Sequence, residues 1–283
     1  MASFTNFATL SYNGGTTNSN IVTGEILEAL TAVKTAVSAN YSAGDRITYA
    51  LSLVNTGTTA VTDYTVTDNL GSYTVGANTV YPLAYNAGTV RYYINGVLQA
   101  APAVTAGPPL TVTGLTVPAG GNAVLIYETT ATNVAPLATG DSITNTATIT
   151  GGGLTNPITA QATVEAANSA ELTISKALSP TTVTENGQIT YTFVISNTGN
   201  TEATAADNVI VTDTFDPILR NIAVTYNGTA WTEGTNYTYN AATGVFATQA
   251  GQITVPAASF TQNADGTFTV TPGTATLVIT GTI

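Results

Sequence analysis

The sequence has 283 residues, enough for two domains that each bury a core, and 43% of the residues are hydrophobic while only 7% are charged. The net charge of −11, with five basic residues, argues against nucleic acid or an anionic membrane surface as a partner, because both require clustered cations. The absence of cysteine and histidine excludes disulfides and thiolate metal sites and removes the commonest general base, so we expect neither an enzyme nor a cofactor.

The first predicted element is a hairpin over residues 1–28, and its sequence has a second copy inside the chain. Residues 4–26 read FTNFATLSYNGGTTNSNIVTGEI, and residues 143–165 read ITNTATITGGGLTNPITAQATVE. Because successive side chains of a strand point to opposite faces, Asn6 shares a face with Phe4, Ala8 and Leu10. The N-terminal segment therefore resembles the hairpin that ends the predicted domain over residues 29–166.

Two predicted domains follow, over residues 29–166 and 167–283, and they share a series of sequence landmarks. The first carries Leu30 to Lys34, Gly44 to Tyr49, Val54 to Gly57 and Val66 to Asp68; the second carries Leu172 to Lys176, Gly187 to Tyr191, Ile195 to Gly199 and Val211 to Asp213. Runs rich in Val, Ile, Thr and Tyr alternate in polarity between turn signals such as Asn95-Gly96, a pattern typical of antiparallel β-sandwiches. The one plausible helix, residues 25–37, is interpreted as linker plus strand.

The second domain ends where the first still has a hairpin to come. Residues 276–280 match residues 124–128, the strand shortly before the hairpin at residues 143–165. The sequence therefore predicts a second sandwich that lacks its last hairpin, with an acceptor edge that includes Leu277, Val278 and Ile279.

A hairpin without a host sheet and a sandwich without its last hairpin are both unstable alone. We therefore predict donor-strand complementation, in which the N-terminal hairpin of one molecule completes the second domain of the next. Such a contact joins different surfaces and propagates head to tail as a filament of this chain alone. The expected donor residues are Phe4, Asn6, Phe7, Ala8, Leu10, Ile21, Val22 and Ile26.

The alternative is a monomeric adhesin or binding module whose hairpin folds back onto its own second domain. The hairpin lies beside the start of the middle domain, whereas the second domain follows its end, and these are usually opposite poles of a sandwich. A linker of about 8 residues reaches at most about 28 Å, less than the roughly 40 Å length of a domain. The short linker therefore favours pairing of the hairpin with the second domain of a neighbouring molecule.

Both lysines of the chain, Lys34 and Lys176, fall at the same point of the repeat. Strand phase places each of them on a face with apolar neighbours, where a lysine is costly unless paired. The same phase places Asn145 and Asp68 inward in the first domain. A buried Lys, Asn and Asp together can form an isopeptide bond, in which a neutral amine attacks the carboxamide and a protonated carboxyl group assists.

The sequence thus predicts one bond between Lys34 and Asn145, assisted by Asp68. A second bond would join Lys176 to Asn6 of the neighbouring molecule, assisted by Asp213, and would make the filament covalent. The alternative is a buried Lys-Asp ion pair whose remaining hydrogen bonds are supplied by Asn, because that arrangement satisfies the same burial rule.

The landmarks Lys, G-x-I-T-Y, N-T-G, V-T-D and I-T-N-T-A resemble the bacterial surface-protein repeat known as domain of unknown function 11. The resemblance covers most of residues 30–165 and residues 172–283. It implies immunoglobulin-like β-sandwiches and a structural or adhesive role at the cell surface.

The first residues, MASFTN, have neither the basic segment nor the apolar run of a secretory signal peptide. No apolar run reaches the roughly 18 residues of a membrane span. We therefore expect an extracellular or spore-surface appendage that is assembled inside a mother cell or exported by another route.

Overall fold

The computed structural model describes residues 2–26 and 29–283, with side-chain surroundings for residues 4–24 and 29–283. Within these residues the chain is all-β, as the sequence predicts, apart from one 3-10 turn at Ala205–Asp207. The described residues contain no helix long and apolar enough to span a bilayer.

The N-terminal hairpin consists of β1 (Ala2–Asn6), β2 (Thr9–Tyr12), β3 (Gly15–Asn18) and β4 (Val22–Ile26). Strand β1 pairs with β4 and β2 with β3, across a two-residue loop in which Asn13 and Gly14 both have positive φ, as a type I′ turn requires. The break between β1 and β2 has two residues, and the break between β3 and β4, which faces it, has three. The extra residue is on the return strand, so the first strand keeps its alternation from Phe4 to Leu10.

The middle domain packs two sheets face to face around one core. The first sheet has the order β13-β12-β16-β7-β5, with β11 also on β16, and the second has the order β14-β15-β8-β17-β18-β6. Alternate side chains of both sheets are buried between them. The strands are β5 (Leu30–Ala36), β6 (Asn40–Tyr41), β7 (Arg46–Asn55), β8 (Val61–Asp68), β9 (Tyr73–Val75), β10 (Asn78–Val80), β11 (Leu83–Tyr85), β12 (Arg91–Ile94), β13 (Val97–Leu98), β14 (Ala103–Thr105), β15 (Leu110–Val117), β16 (Asn122–Ala131), β17 (Ser142–Gly151) and β18 (Ile158–Ala166).

The C-terminal domain has its own core between a five-stranded sheet of order β19-β20-β28-β22-β23 and a three-stranded sheet of order β21-β25-β24. A further ribbon pairs β26 with β27. The strands are β19 (Leu172–Ser179), β20 (Gln188–Asn197), β21 (Thr212–Thr214), β22 (Arg220–Tyr226), β23 (Thr229–Trp231), β24 (Tyr237–Asn240), β25 (Val245–Thr248), β26 (Ser259–Gln262), β27 (Phe268–Thr271) and β28 (Gly273–Thr282). The domain boundaries at residues 28/29 and 166/167 remain predictions, and residues 27 and 28 lie outside the described part.

The prediction that Leu277, Val278 and Ile279 form an acceptor edge is wrong. Strand β28 is hydrogen-bonded to β20 on one side and to β22 on the other, and the Leu277 and Ile279 side chains are fully buried. A strand that is paired on both sides offers no free backbone groups to a donor strand. Leu277 and Ile279 are therefore core residues of a central strand.

Asn200 joins the two domains. Its Nδ2 donates hydrogen bonds to the carbonyl oxygens of Leu137 and Ala167 at 2.8 and 2.9 Å, and its Oδ1 accepts one from the Ser169 amide at 3.1 Å. At a second point, the Gln262 side chain donates to the Tyr73 hydroxyl at 2.9 Å. The two domains are thus held together by polar contacts to both the backbone and side chains.

Candidate functional site

Lys34 and Asp68 form a buried ion pair in the core of the middle domain. Lys34 comes from β5 in one sheet and Asp68 from β8 in the other, and each points inward as strand phase predicts. The Lys34 Nζ lies 2.5 Å from the Asp68 Oδ2, and the two side chains are 0% and 1% exposed. The pair therefore bridges the two sheets out of contact with water.

Burial makes the Lys34 amine easier to deprotonate. Desolvation lowers the pKa of Lys34 from its ordinary 10.5 to about 8, although the charge and the hydrogen bond of Asp68 act in the opposite direction. The Nζ also lies 4.8 Å from the centre of the Tyr49 ring and 5.8 Å from that of Tyr127. The site thus holds a lysine closer than usual to the neutral, nucleophilic form.

Two hydrogen bonds besides that of Lys34 orient the Asp68 carboxyl group. The Tyr127 hydroxyl donates to Oδ2, and the Leu70 amide donates to Oδ1 at 3.0 Å. Tyr127 stacks on Tyr49, its partner across β16 and β7, with ring centres 5.8 Å apart. Our sequence interpretation missed both tyrosines, although strand phase from Ile47 places Tyr49 inward.

Asn145, the third residue of the predicted trio, lies on β17. It is two residues from Ala147, the register partner of Asp68, and on the same face of the strand. The Asn145 side chain is fully buried, and neither its Oδ1 nor its Nδ2 has a hydrogen-bond partner. An unpaired buried carboxamide costs about 1–3 kcal/mol, so this group needs a chemical explanation.

The second site repeats the ion pair in a more open setting. The Lys176 Nζ lies 2.5 Å from the Asp213 Oδ2, but the two side chains are 41% and 17% exposed. The Nζ lies 4.5 Å from the centre of the Tyr191 ring, which is equivalent to Tyr49. The residue across the sheet from Tyr191 is Ile279, in the place of Tyr127.

This exposure extends along the whole of β19. All eight of its residues are exposed, including the inward-phase residues Leu172, Ile174 and Leu178. In the equivalent strand of the middle domain, Leu30 and Lys34 are buried, because β18 packs across β5. Strand β21 is likewise paired only with β25, whereas β8 has β15 on one side and β17 on the other. Among the described residues, no strand takes the places of β17 and β18 in the C-terminal domain.

The predicted donor residues from Phe4 to Val22 are solvent-exposed. Strands β1 to β4 form two-stranded sheets with each other only, and no hydrogen bond within the described part of the chain joins Asn6 to Lys176 or Asp213. A single molecule therefore buries all three residues of the first trio, whereas Asn6 of the second trio is exposed. The side chain of Ile26 lies outside the described residues. The exposed large apolar residues are Phe4, Phe7, Leu10, Tyr12, Ile21 and Val22.

The acidic residues of the described part do not converge on a metal site. Over residues 2–26 and 29–283, no group of three or more acidic side chains is arranged to hold a metal ion.

No protein-family model and no curated protein matches the sequence, so the resemblance to the surface-protein repeat is not confirmed. Solved structures with similar shape include the pilus backbone protein of Streptococcus pneumoniae, at 11% identity and TM-score 0.35 over 86% of this chain and 55% of that one. The major pilin of Bacillus cereus matches 95% of this chain and 73% of its own, at 15% identity and TM-score 0.38.

A collagen-binding domain from a Staphylococcus aureus adhesin matches 49% of this chain and 99% of its own, at 11% identity and TM-score 0.31. The chain spans about half the length of the pneumococcal protein.

Proposed function

We propose that the chain is a structural subunit that assembles head to tail into a filament by donor-strand complementation. The observation that carries the proposal is the uncovered inner face of β19, with Leu172, Ile174 and Lys176 exposed. The same face of β5 is covered by the β17–β18 hairpin, whose sequence copy is the exposed N-terminal hairpin. A filament on the outside of a bacterium or spore is the setting that we propose for this subunit.

The middle domain gives the expected register of the docked hairpin. Ala147 lies opposite Asp68 and Ile149 opposite Val66 in the β17–β8 pair. By equivalence, Ala8 of the donor lies opposite Asp213 of the acceptor, and Leu10 lies opposite Val211. The acceptor edge is therefore β21, and the Leu277 region of β28 forms part of the core beneath the docked hairpin.

Docking removes apolar surface from water on both partners. Each large apolar side chain that becomes buried contributes roughly 1.5–3 kcal/mol, and the hairpin and β19 each expose several. The free backbone groups on the open side of β21 are paired at the same time. Because the two surfaces differ, the contact repeats along an open filament.

We further propose that the filament is covalent. In the docked register, Asn6 of the donor takes the place of Asn145, beside Lys176 and Asp213. A bond between Lys176 and Asn6 then links successive molecules, and a bond between Lys34 and Asn145 ties the sheets of each middle domain together. Docking covers Lys176, which reproduces the water-free environment of Lys34.

The proposal predicts opposite effects for two neighbouring donor substitutions. Leu10→Asp places a charge on the buried face of the docked hairpin and should abolish filaments, because an unpaired buried charge costs several kcal/mol. Ser11→Asp places the same charge on the other face and should leave filament length unchanged. Negative-stain electron microscopy of both variants provides the measurement.

In both variants the middle domain should keep its cooperative thermal unfolding, because the hairpin is not part of its core. Normal filaments from the Leu10→Asp protein would contradict the donor assignment. Monodisperse monomers from the unmodified protein would favour the alternative, an adhesin whose hairpin completes its own C-terminal domain.

A further inference from the structure

We propose that Tyr49 is a further catalytic residue of the Lys34–Asn145 reaction. Its hydroxyl donates a hydrogen bond to the Asn145 Oδ1 while that oxygen gains negative charge. The inference rests on the proposed covalent function of this site and adds a group that the Lys, Asn and Asp trio does not contain.

The first argument is that two orphan polar groups lie around the same Lys34–Asp68 ion pair. The Tyr49 hydroxyl is buried without a hydrogen-bond partner, as are both polar atoms of the Asn145 side chain. The Tyr49 ring centre lies 4.8 Å from the Lys34 Nζ, and Asn145 lies two residues from the register partner of Asp68. Asn145 also opposes the rise that burial causes in the pKa of both nearby phenols, Tyr49 and Tyr127. The Asn145 Oδ1 moves when its carbonyl carbon becomes tetrahedral. A Tyr49 hydroxyl that is unbonded in the starting state can therefore form its hydrogen bond to this oxygen in the transition state.

The second argument excludes the other nearby phenol. The Tyr127 hydroxyl has one proton, and it donates that proton to the Asp68 Oδ2. Tyr127 therefore orients the carboxyl group, while the Tyr49 proton is free for Asn145. The second site is consistent with these two roles. Tyr191 occupies the position equivalent to Tyr49, whereas Ile279 occupies the position equivalent to Tyr127.

The reaction balances without any further reagent. A proton passes from the Lys34 ammonium to the Asp68 carboxylate, and the neutral Nζ attacks the Asn145 Cγ. The tetrahedral intermediate carries its charge on Oδ1, where Tyr49 donates a hydrogen bond and keeps its proton. Asp68 returns a proton to Nδ2, the Cγ–Nδ2 bond breaks, and ammonia leaves as the nitrogen of the new amide loses its extra proton to the carboxylate.

The experiment follows ammonia loss from the middle site alone. The full chain is made in an Asn6→Ala background by cell-free synthesis, aliquots are quenched in acid, and the intact mass is recorded over time. The parent should lose one ammonia, and a Lys34→Met variant should lose none. Tyr49→Phe should slow the loss by roughly 100-fold, the effect of removing one oxyanion donor.

Tyr64→Phe is the matched control, because Tyr64 is a second fully buried tyrosine of the same core whose hydroxyl also lacks a partner. Its rate should equal that of the parent. Equal slowing by both substitutions would show a packing effect and overturn the role of Tyr49. An unchanged rate for Tyr49→Phe would overturn it too, while leaving the proposed bond in place.

A parent that loses no ammonia would overturn the bond and the role of Tyr49 together. In the Lys34→Met background, Tyr49→Phe should not lower the thermal midpoint, whereas the loss of a stabilising structural contact would lower it. If Tyr49→Phe fails to fold, 3-fluorotyrosine at position 49 is the second test. It keeps the shape and donates a stronger hydrogen bond, so the reaction should accelerate, and an unchanged rate would overturn the proposal.

Discussion

At the scale of single residues, Lys34 is a charge placed where water cannot reach it. Its partner Asp68 is held by Tyr127 and Leu70 as well, so the pair is rigid as well as buried. Burial of an ion pair seldom stabilises a fold relative to apolar residues of the same size. A chemical role for the amine explains better why a core would contain it.

The depressed pKa of Lys34 predicts how stability changes with pH in a protein that cannot form the bond. In Asn145→Ala, Lys34 stays free, and its pKa is about 8 when folded and 10.5 in its ordinary state. Between pH 8 and 10 the unfolded chain therefore binds more protons, so the free energy of unfolding should rise, by at most about 1.4 kcal/mol per pH unit. Urea unfolding at several pH values measures this.

The rise in the free energy of unfolding should end near pH 10, where tyrosines of the unfolded chain begin to ionise. In the folded protein, burial raises the pKa of Tyr49 and Tyr127 above this ordinary value. Above that pH the unfolded state loses phenol protons first, which destabilises the fold. Adding Lys34→Met to Asn145→Ala should remove the rise between pH 8 and 10. A free energy of unfolding that falls with pH in the single variant would contradict the buried, depressed Lys34.

Strand phase predicted that these side chains point inward, because alternation alone decides which side chains of a strand face the core. Lys34, Asp68 and Asn145 are all buried, as their apolar neighbours in phase indicated. Phase could not show that Tyr127 donates to Asp68, since that contact depends on the pairing of β7 with β16 and on the distance between the sheets. The orphaned state of Asn145 likewise depends on packing in three dimensions.

At the scale of elements, β28 comes last in the chain, and we therefore expected it at the edge of its sheet. It lies instead between β20 and β22. The hairpin that follows β16 in the chain does not pair with β16. It crosses to the other sheet, where β17 pairs with β8. Sandwiches commonly connect strands in this way, so a strand that comes last in the chain can be central in its sheet. The repeat predicted that a hairpin is missing from the second domain, and the place that we propose for it rests on the pairing of β17 with β8 in the first.

Two neighbouring residues of β19 test the acceptor face. Ile174 is on the inward phase and 55% exposed, so Ile174→Asp should leave the free energy of unfolding of the isolated subunit within about 0.5 kcal/mol. The same change should abolish filaments, because docking buries that position. Ser175→Asp, on the opposite phase, should affect neither.

For urea unfolding, each β19 substitution is combined with Leu10→Asp, which keeps the subunits apart. For electron microscopy, each β19 substitution is made alone. Filaments from Ile174→Asp that match those from Ser175→Asp would show that this face of β19 is not covered during assembly.

At the scale of the whole molecule, the two ion pairs differ in how far the protein encloses them. The first is enclosed by the β17–β18 hairpin of its own chain, and the second is open. A filament of such subunits would contain the enclosed arrangement at every domain. The Asn200 contacts would then hold each pair of domains within a subunit in a fixed relation.

Asn6→Ala separates assembly from the covalent bond. The substitution keeps the apolar donor residues Phe4 and Leu10, so filaments should form, but it removes the carboxamide that Lys176 attacks. Filaments of the unmodified protein should survive boiling in detergent as a ladder on a gel, and those of Asn6→Ala should run as single subunits. Asn18→Ala, at an exposed position of the hairpin, is the control and should keep the ladder. A ladder from Asn6→Ala would contradict the Lys176–Asn6 bond.

The most direct test of head-to-tail complementation compares the full-length protein with a version that lacks residues 1–26. Both are purified and viewed by negative-stain electron microscopy at equal concentration. The full-length protein should form filaments, and the truncated protein should form none, although its middle domain still unfolds cooperatively. Filaments of the truncated protein, or dispersed monomers of the full-length protein, would contradict the account.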